Sequence, residues 1–236
     1  MWVQWIHVYY KKQNSLWSIE PKQASWMVQK ILKAKQYFEE VGYTEEDVEG
    51  IRSFSIKTMY VKIQGEFARV PWRKLVYNNA GLPKWIFTVF LAAHRSLLTK
   101  DRLRGWGYVE DATCSLCNNE EETTDHLFFS CPYSSRVWIA MLRWQGIHRQ
   151  AMTWTNEIEW AERYYKGRST TAELYKLILA DSLYYIWQER NGRIFKGEQR
   201  SEAVLSKVIT QDVHGRGASK QRLQRRLIEL NYYPNV

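Results

Sequence analysis

The three cysteines of this 236-residue chain all lie in one 18-residue window, together with a histidine. Cys114, Cys117, His126 and Cys131 follow the spacing C-x2-C-x8-H-x4-C. Two cysteines separated by two residues turn back so that both sulfurs reach one point, and the longer spacer brings an imidazole and a third sulfur round to it. Three sulfurs and one nitrogen are a typical tetrahedral ligand set for Zn²⁺. The sequence therefore predicts one structural zinc ion.

Two other interpretations of the cluster stay open. A redox-active C-x-x-C would need a βαβ context, which the pattern of the chain does not indicate. Chance clustering of buried thiols is the second. An odd, low cysteine count argues against a disulfide framework. Because the opening residues lack the features of a secretory signal, we expect a reducing compartment, the nucleus or the cytoplasm.

The predicted zinc site is structural, because four protein ligands leave no open position for water or substrate. Three thiolates, a neutral imidazole and Zn²⁺ sum to a net negative charge. The spacer adds Glu120, Glu121, Glu122 and Asp125. We expect this loop to repel phosphate, and its carboxylates to accept N–H groups from the ligand frame or from a basic partner.

The chain as a whole is basic, with 34 Lys and Arg against 25 Asp and Glu, a formal net charge of +9 and a pI of about 9.4. This balance favours contact with a polyanion, and nucleic acid first. The alternative is a soluble protein whose basic surface has no such partner. No stretch approaches the roughly 18 uninterrupted apolar residues of a membrane span, so no membrane partner is expected.

Apolar residues at helical spacing predict a mostly α fold with a small zinc-stapled knuckle or hairpin at the cysteines. Helical patterns run over 25–41, 55–63, 84–96, 100–104, 132–144, 154–165, 170–195, 201–213 and 220–230. We expect Thr99 to cap the helix 100–104, Gly192 to end or bend the longest helix, and Gly215-Arg216-Gly217 to be a flexible separator. The acidic stretch 44–50 is a predicted boundary. The predicted segments are a helical extension (1–50), a zinc domain (51–145) and a helical basic region (146–236).

Several short motifs occur in a fixed order around the cysteines. They are Phe54-Ser55-Ile56-Lys57, Trp72, Leu82-Pro83-Lys84, Leu97-Leu98-Thr99-Lys100-Asp101-Arg102-Leu103, Cys114-Ser115-Leu116-Cys117, Glu122-Thr123-Thr124-Asp125-His126-Leu127, Cys131-Pro132 and Val137-Trp138. In this order they resemble the zinc-binding domain of plant non-LTR (LINE-type) retroelement reverse transcriptases. The resemblance covers 54–144 and extends weakly to 24–35 and 186–191. It implies that the cysteines and His126 bind zinc, and that the domain grips an RNA template or DNA target.

Catalytic motifs are missing from the sequence. Polymerase chemistry needs paired aspartates for two metal ions, and the chain has no Asp-Asp. Neither RNase H carboxylates nor the phosphate-binding, nucleophile-elbow or H-E-x-x-H motifs occur. We therefore predict a non-catalytic zinc-binding module of a retroelement-derived reverse transcriptase, not an enzyme by itself but a fragment of one or a gene derived from one. The alternatives are a domesticated fragment that acts as a protein-interaction scaffold, and a zinc hydrolase, which needs an open coordination position.

Two basic regions are candidates for contact with RNA or DNA. The first comprises Lys84, Arg95, Lys100, Arg102 and Arg104, interleaved with Trp85 and Trp106. The second comprises Arg222, Arg225 and Arg226, in a basic tail that also contains Arg190, Arg193, Lys196, Arg200, Arg216 and Lys220. Such cations pair with phosphates, and exposed tryptophans stack on bases. The alternative is a set of solvated helix faces, with Trp85 in the core.

Overall fold

The computed structural model describes Trp17 and residues 24–53, 55–65 and 70–230. The chain divides into two compact units, Met1–Arg69 and Val70–Val236. The described residues are mostly α-helical, with extended pairing limited to one antiparallel bridge between Thr113 and Glu121. The predicted mostly α fold is therefore confirmed. The segment boundaries predicted after residues 50 and 145 stay a prediction, and Phe54 of the resemblance lies outside the described residues.

The first unit is built from short helices. They are α1 (Trp26–Lys33), α2 (Lys35–Glu40), α3 (Glu45–Glu49) and α4 (Ile56–Gln64). The single helix predicted over 25–41 is interrupted at Ala34, where N–H groups bond to carbonyls three residues back instead of four. The acidic stretch 44–50 contains a short helix, and Thr44 and Asp47 cap its N-terminus reciprocally.

The second unit contains the longer helices. They are α5 (Arg73–Val76), α6 (Pro83–Ala93), α7 (Lys100–Gly105), α8 (Pro132–Trp144), α9 (Trp154–Tyr165), α10 (Thr170–Lys196), α11 (Glu202–Ala218) and α12 (Gln221–Ile228). Pro83 and Pro132 begin α6 and α8, since the first turn of a helix leaves its N–H groups unbonded. Over the described part of the chain, no helix has the length and apolarity that crossing a bilayer requires.

Helix α10 is the centre of the second unit. It packs against α6, α8, α9, α11 and α12. Every residue from Leu174 to Leu183 is buried, as expected for a helix that is surrounded on all sides. A helix of 27 residues spans about 40 Å, so its two ends lie in different parts of the unit.

Two glycine positions differ from the expectation that Gly192 ends the longest helix and that 215–217 is a flexible separator. Helix α10 continues through Gly192 and ends at Gly197, whose φ of +67° suits a residue without a side chain. The segment Gly215-Arg216-Gly217 lies inside α11 and is not a flexible separator. Gly217 is buried where α12 packs back on α11, and a Cβ there would lie 2.2 Å from Cδ1 of Leu227. Glycine at this position permits the close contact between the two helices.

We expect Gly217→Ala to destabilise the protein by about 1–3 kcal/mol, because the added methyl group overlaps buried Leu227. Gly215→Ala is the matched control, since it lies in the same helix with open space around its Cβ. That change should stabilise the protein by about 0.5–1 kcal/mol. Urea unfolding followed by circular dichroism measures both free energies, and equal effects would contradict the packing role of Gly217.

Candidate metal centre

Cys114 and Cys117 lie in a tight turn at the end of the antiparallel pairing. The amide of Asn118 donates to the carbonyl of Cys114 at 2.8 Å, and Asn118 has a φ of +53°, which asparagine tolerates better than most residues. The amide of Cys114 donates to the carbonyl of Glu120 at 2.7 Å and closes the turn from the other side. These backbone bonds hold the two sulfurs near a common point.

His126 and Cys131 flank a single π-helical turn, His126–Ser130. The amide of Cys131 donates to the carbonyl of His126 at 2.7 Å, a bond that spans five residues. Positions five apart on an α-helix point about 140° away from each other, whereas the wider π-turn reduces this angle. The x4 spacing between histidine and cysteine therefore matches this local backbone geometry, and Phe128 and Phe129 between them are buried in the core.

The structure brings the four predicted ligands together. Their donor atoms all lie within 4.8 Å of one another. Sγ of Cys114 lies 4.0 Å from Sγ of Cys131, and Sγ of Cys117 lies 3.3 Å from Nε2 of His126. A tetrahedral zinc ion with bonds of about 2.0–2.3 Å sets its ligands about 3.5–3.8 Å apart. The four side chains can therefore hold one zinc ion with little movement, and Nε2 is the imidazole ligand atom.

Three of the four ligand residues are shielded from solvent, and Cys117 is half-buried. Cys114 and Cys131 are fully buried and His126 is 6% exposed. The hydrogen bond between the two buried sulfurs raises the pKa of Cys114 and lowers the pKa of Cys131. Zinc binds thiolates, so metal loading displaces the shared proton and is expected to weaken as the pH falls. With four protein ligands the site has no position for a reactive water, which makes its role structural.

The second nitrogen of His126 faces an acidic side chain. Nδ1 lies 3.2 Å from Oε2 of Glu120, although the two groups are not aligned as a hydrogen bond. A carboxylate beside the outer nitrogen of a zinc-bound histidine fixes the orientation of the ring. Glu120 is thus placed to support the ligand frame.

Glu122 differs from the other acidic residues of the loop because it is completely buried. Its Oε1 accepts hydrogen bonds from Nε and Nη2 of Arg190, at 3.0 and 2.6 Å. The same oxygen accepts from the amide of Lys100 at 2.9 Å and so caps α7. Thr99 occupies the N-cap position of this helix as predicted, but its side chain makes no capping bond. The cap comes from a residue in the cysteine loop.

Arg193 holds the other end of the loop. Its Nη1 donates to the carbonyl of Leu116, inside the C-x-x-C turn, at 2.8 Å. Its Nε pairs with Glu189 at 2.9 Å, and its guanidinium lies 4.5 Å from the ring centre of Tyr133. Sequence reasoning assigned Arg190 and Arg193 to a basic tail and missed this role. The sequence held one indication of this role. Arg190 lies within residues 186–191, to which the resemblance extends weakly, and Arg193 follows two residues later.

The first predicted basic region lies mostly against the cysteine loop. Arg95 pairs with Asp125 at 3.0 Å, and Arg104 pairs with Glu121. Lys100 donates to a backbone carbonyl of the loop at 2.7 Å. These side chains already have anionic or carbonyl partners within their own chain.

The other residues predicted to contact nucleic acid differ in their exposure and in their partners. Arg102 donates to backbone carbonyls and lies 4.9 Å from the ring centre of Trp106, which is 54% exposed. Lys84 lies over the ring of Tyr184 at 4.7 Å. Trp85 is buried, as expected for a core position. In the second region, Arg222 and Arg225 are exposed, and Arg226 pairs with Glu229 at 2.5 Å.

Comparison with known proteins finds a similarity in the central part of the chain. Residues 54–138 match the family model described as zinc-binding in reverse transcriptase. This segment is therefore similar to that domain family. The four candidate ligands lie inside it, whereas Arg190 and Arg193 lie beyond its end. No curated protein and no solved structure matches the chain.

The purified protein is expected to contain one zinc ion per chain. Cys114→Ser and His126→Ala should lose the metal and lower the melting temperature, because metal binding contributes folding free energy to the loop. His148→Ala is the control, since this histidine is exposed and outside the cluster. Elemental analysis and thermal unfolding measure both quantities. Protein without stoichiometric metal, or with an unchanged melting temperature under strong chelation, would count against the site.

Glu122→Gln is expected to destabilise the protein by about 3–5 kcal/mol, because it leaves the Arg190 guanidinium buried without a counter-charge. Glu121→Gln is the matched control. Glu121 pairs with Arg104 at the surface, where both side chains are about half exposed, and its loss should change stability by less than about 1 kcal/mol. Denaturant unfolding of the zinc-loaded variants tests this difference, and similar losses would argue against the anchoring role of Glu122.

Proposed function

We propose that this chain is a non-catalytic accessory module of reverse-transcriptase origin, in which zinc fixes a loop and the surrounding helices hold nucleic acid. The observation that carries this proposal is the Cys114, Cys117, His126 and Cys131 cluster within the segment that matches the family model. The net charge of +9 supports a polyanionic partner, RNA or DNA.

A structural rather than catalytic role follows from the ligand set. Four protein donors saturate a tetrahedral zinc ion, so neither water nor substrate has a place on the metal. The sequence also contains no adjacent aspartates for a two-metal polymerase centre. In this proposal the module works through shape and charge.

The zinc ion would act by ordering the loop. With the loop closed, Glu122 caps α7 and reaches Arg190, and the C-x-x-C turn reaches Arg193. Both arginines lie on α10, the central helix of the second unit. Loss of zinc would therefore loosen the contact between the loop and this helix, and with it the surface that the helices form.

The motif order from Phe54 to Trp138 supports an origin in a plant LINE-type retroelement, either as a part of its polymerase or as a derived gene. The site needs reduced thiols, and all three cysteines are free. A reducing compartment, the nucleus or the cytoplasm, is accordingly part of the proposal.

A protein-interaction scaffold is the second candidate, and α4 of the first unit favours it. Ile56, Tyr60 and Ile63 of the predicted apolar face are 77%, 58% and 49% exposed. An apolar face of this kind suits a protein partner better than a phosphate backbone.

Salt dependence separates the two candidates. The zinc-loaded protein is expected to bind RNA or DNA at low salt, with an affinity that falls steeply between about 50 and 200 mM salt, because phosphate contacts release counterions. Ile56→Ser with Ile63→Ser is the control and should leave this binding unchanged. Fluorescence anisotropy against a salt series measures the effect. Absence of binding at low salt would refute nucleic-acid contact and leave the scaffold.

A further inference from the structure

Charge is unevenly distributed in the second unit. Residues 110–126, which contain the C-x-x-C turn and its spacer, include six acidic and no lysine or arginine residues. Residues 162–176 and 220–229 together include eight basic and three acidic residues. These two short segments therefore supply more than half of the net charge of +9. They surround the α9–α10 turn and form α12.

Helix α10 separates the acidic and basic regions. Arg190 and Arg193, near its C-terminal end, contact the cysteine loop, whereas Arg168 directly precedes its N-cap, Ser169. With a rise of 1.5 Å per residue, these two ends lie about 30 Å apart. The Debye length at physiological salt is about 8 Å. The carboxylates of the loop therefore do little to neutralise the α9–α10 turn.

Arg168 and Arg222 join the two basic segments. Nη2 of Arg222 donates to the carbonyl of Arg168 at 3.3 Å, so α12 lies against the α9–α10 turn. Lys166, Arg168, Arg222 and Arg225 are all exposed. Within the described residues, none of these four side chains forms an ion pair. They differ in this respect from Arg95 and the other cations at the cysteine loop.

A buried lysine lies beneath the same turn. Lys176 is 3% exposed, and its Nζ donates to the carbonyl of Gly167 at 3.1 Å. Burial lowers the pKa of Lys176, Glu173 raises it, and the charge of Arg168 lowers it again. The effect of Arg168 is a repulsion between two cations. A bound anion at the turn would relieve this repulsion.

An exposed aromatic ring lies close in sequence to the cations of the α9–α10 turn. Tyr164 is 58% exposed and lies in the last turn of α9, four residues before Arg168. Its ring is supported by Trp160, at 5.1 Å between ring centres, and by the guanidinium of Arg163 at 5.5 Å. Proteins bind single strands by pairing cations with the phosphates and stacking aromatic rings on the bases.

We propose that Tyr164, Lys166, Arg168, Arg222 and Arg225 form a surface that binds single-stranded nucleic acid. This inference rests on the proposed function and assigns its contact surface. The phosphates lie along the four basic side chains, and a base stacks on the tyrosine ring. The nucleic acid thus binds far from the zinc ion, which acts by holding the other end of α10.

The test measures binding of labelled oligo(U) and oligo(dT), about 12 nucleotides long, to the zinc-loaded protein. Arg168→Gln with Arg222→Gln is expected to weaken binding at least tenfold at about 0.1 M salt and to reduce the slope of log affinity against log salt by about 1.4. Tyr164→Ala is expected to weaken binding about tenfold through loss of stacking.

Matched controls separate these sites from general charge and aromaticity. Arg143→Gln with Lys207→Gln removes the same charge from exposed side chains that form no ion pair within the described residues. Tyr108→Ala removes a ring that is 77% exposed and close in sequence to the acidic loop. Both controls should leave the affinity unchanged. Circular dichroism and zinc content verify that every variant is folded.

Each outcome decides a different point. If the wild type binds but Arg168→Gln with Arg222→Gln equals its control, or Arg95→Gln with Arg104→Gln weakens binding more, this surface is wrong while the proposed function stands. If the wild type binds neither oligonucleotide, both proposals fail. Tighter binding of duplex without an effect of Tyr164→Ala, or equal competition by polyglutamate, overturns the single-strand assignment. Binding of RNA, DNA or both supports it and identifies the strand.

Discussion

The position of the cysteine loop depends on the ion pair between Glu122 and Arg190, which are 0% and 3% exposed. Removing two charges from water costs several kcal/mol per ion. Three hydrogen bonds to one carboxylate oxygen, two from Arg190 and one from the amide of Lys100, offset part of this penalty. Because of this penalty, a buried ion pair of this kind contributes little net stability. It does favour one arrangement of the loop, α7 and α10, because other arrangements leave a buried charge without its partner.

Zinc and the ion pair constrain the chain over different distances. The metal closes a segment of 18 residues, from Cys114 to Cys131, whereas the ion pair joins positions 68 residues apart. The entropy of closing a flexible loop rises slowly with its length, but ordering each residue costs about 1–2 kcal/mol. Once the metal has ordered the loop, Glu122 is held in a fixed direction. Forming the ion pair with Arg190 then has to order fewer residues, so it costs less entropy. The metal therefore influences the fold beyond its own ligands.

Local signals made much of the fold predictable. The helices expected over 132–144 and 154–165 are Pro132–Trp144 and Trp154–Tyr165, because an apolar stripe and a clear start lie within each segment. The zinc ligands could be predicted in the same way, since their spacing is a local property of the sequence. Gly217 was misinterpreted because its partner, Leu227, comes back from the next helix. No sequence pattern within α11 distinguishes a flexible glycine from one that permits close packing.

The arginines show a second limit of sequence reasoning. Net charge counts Arg190, which is buried against Glu122, equally with Arg168, which is exposed and forms no ion pair within the described residues. Only the folded chain shows which cations are already bound to carboxylates or carbonyls. Once these are set aside, exposed cations without an ion pair within the described residues remain at the α9–α10 turn and α12, whereas the cysteine loop is acidic. Opposite fields at the two ends of α10 would orient an approaching polyanion as well as attract it, because phosphates are repelled from the zinc end.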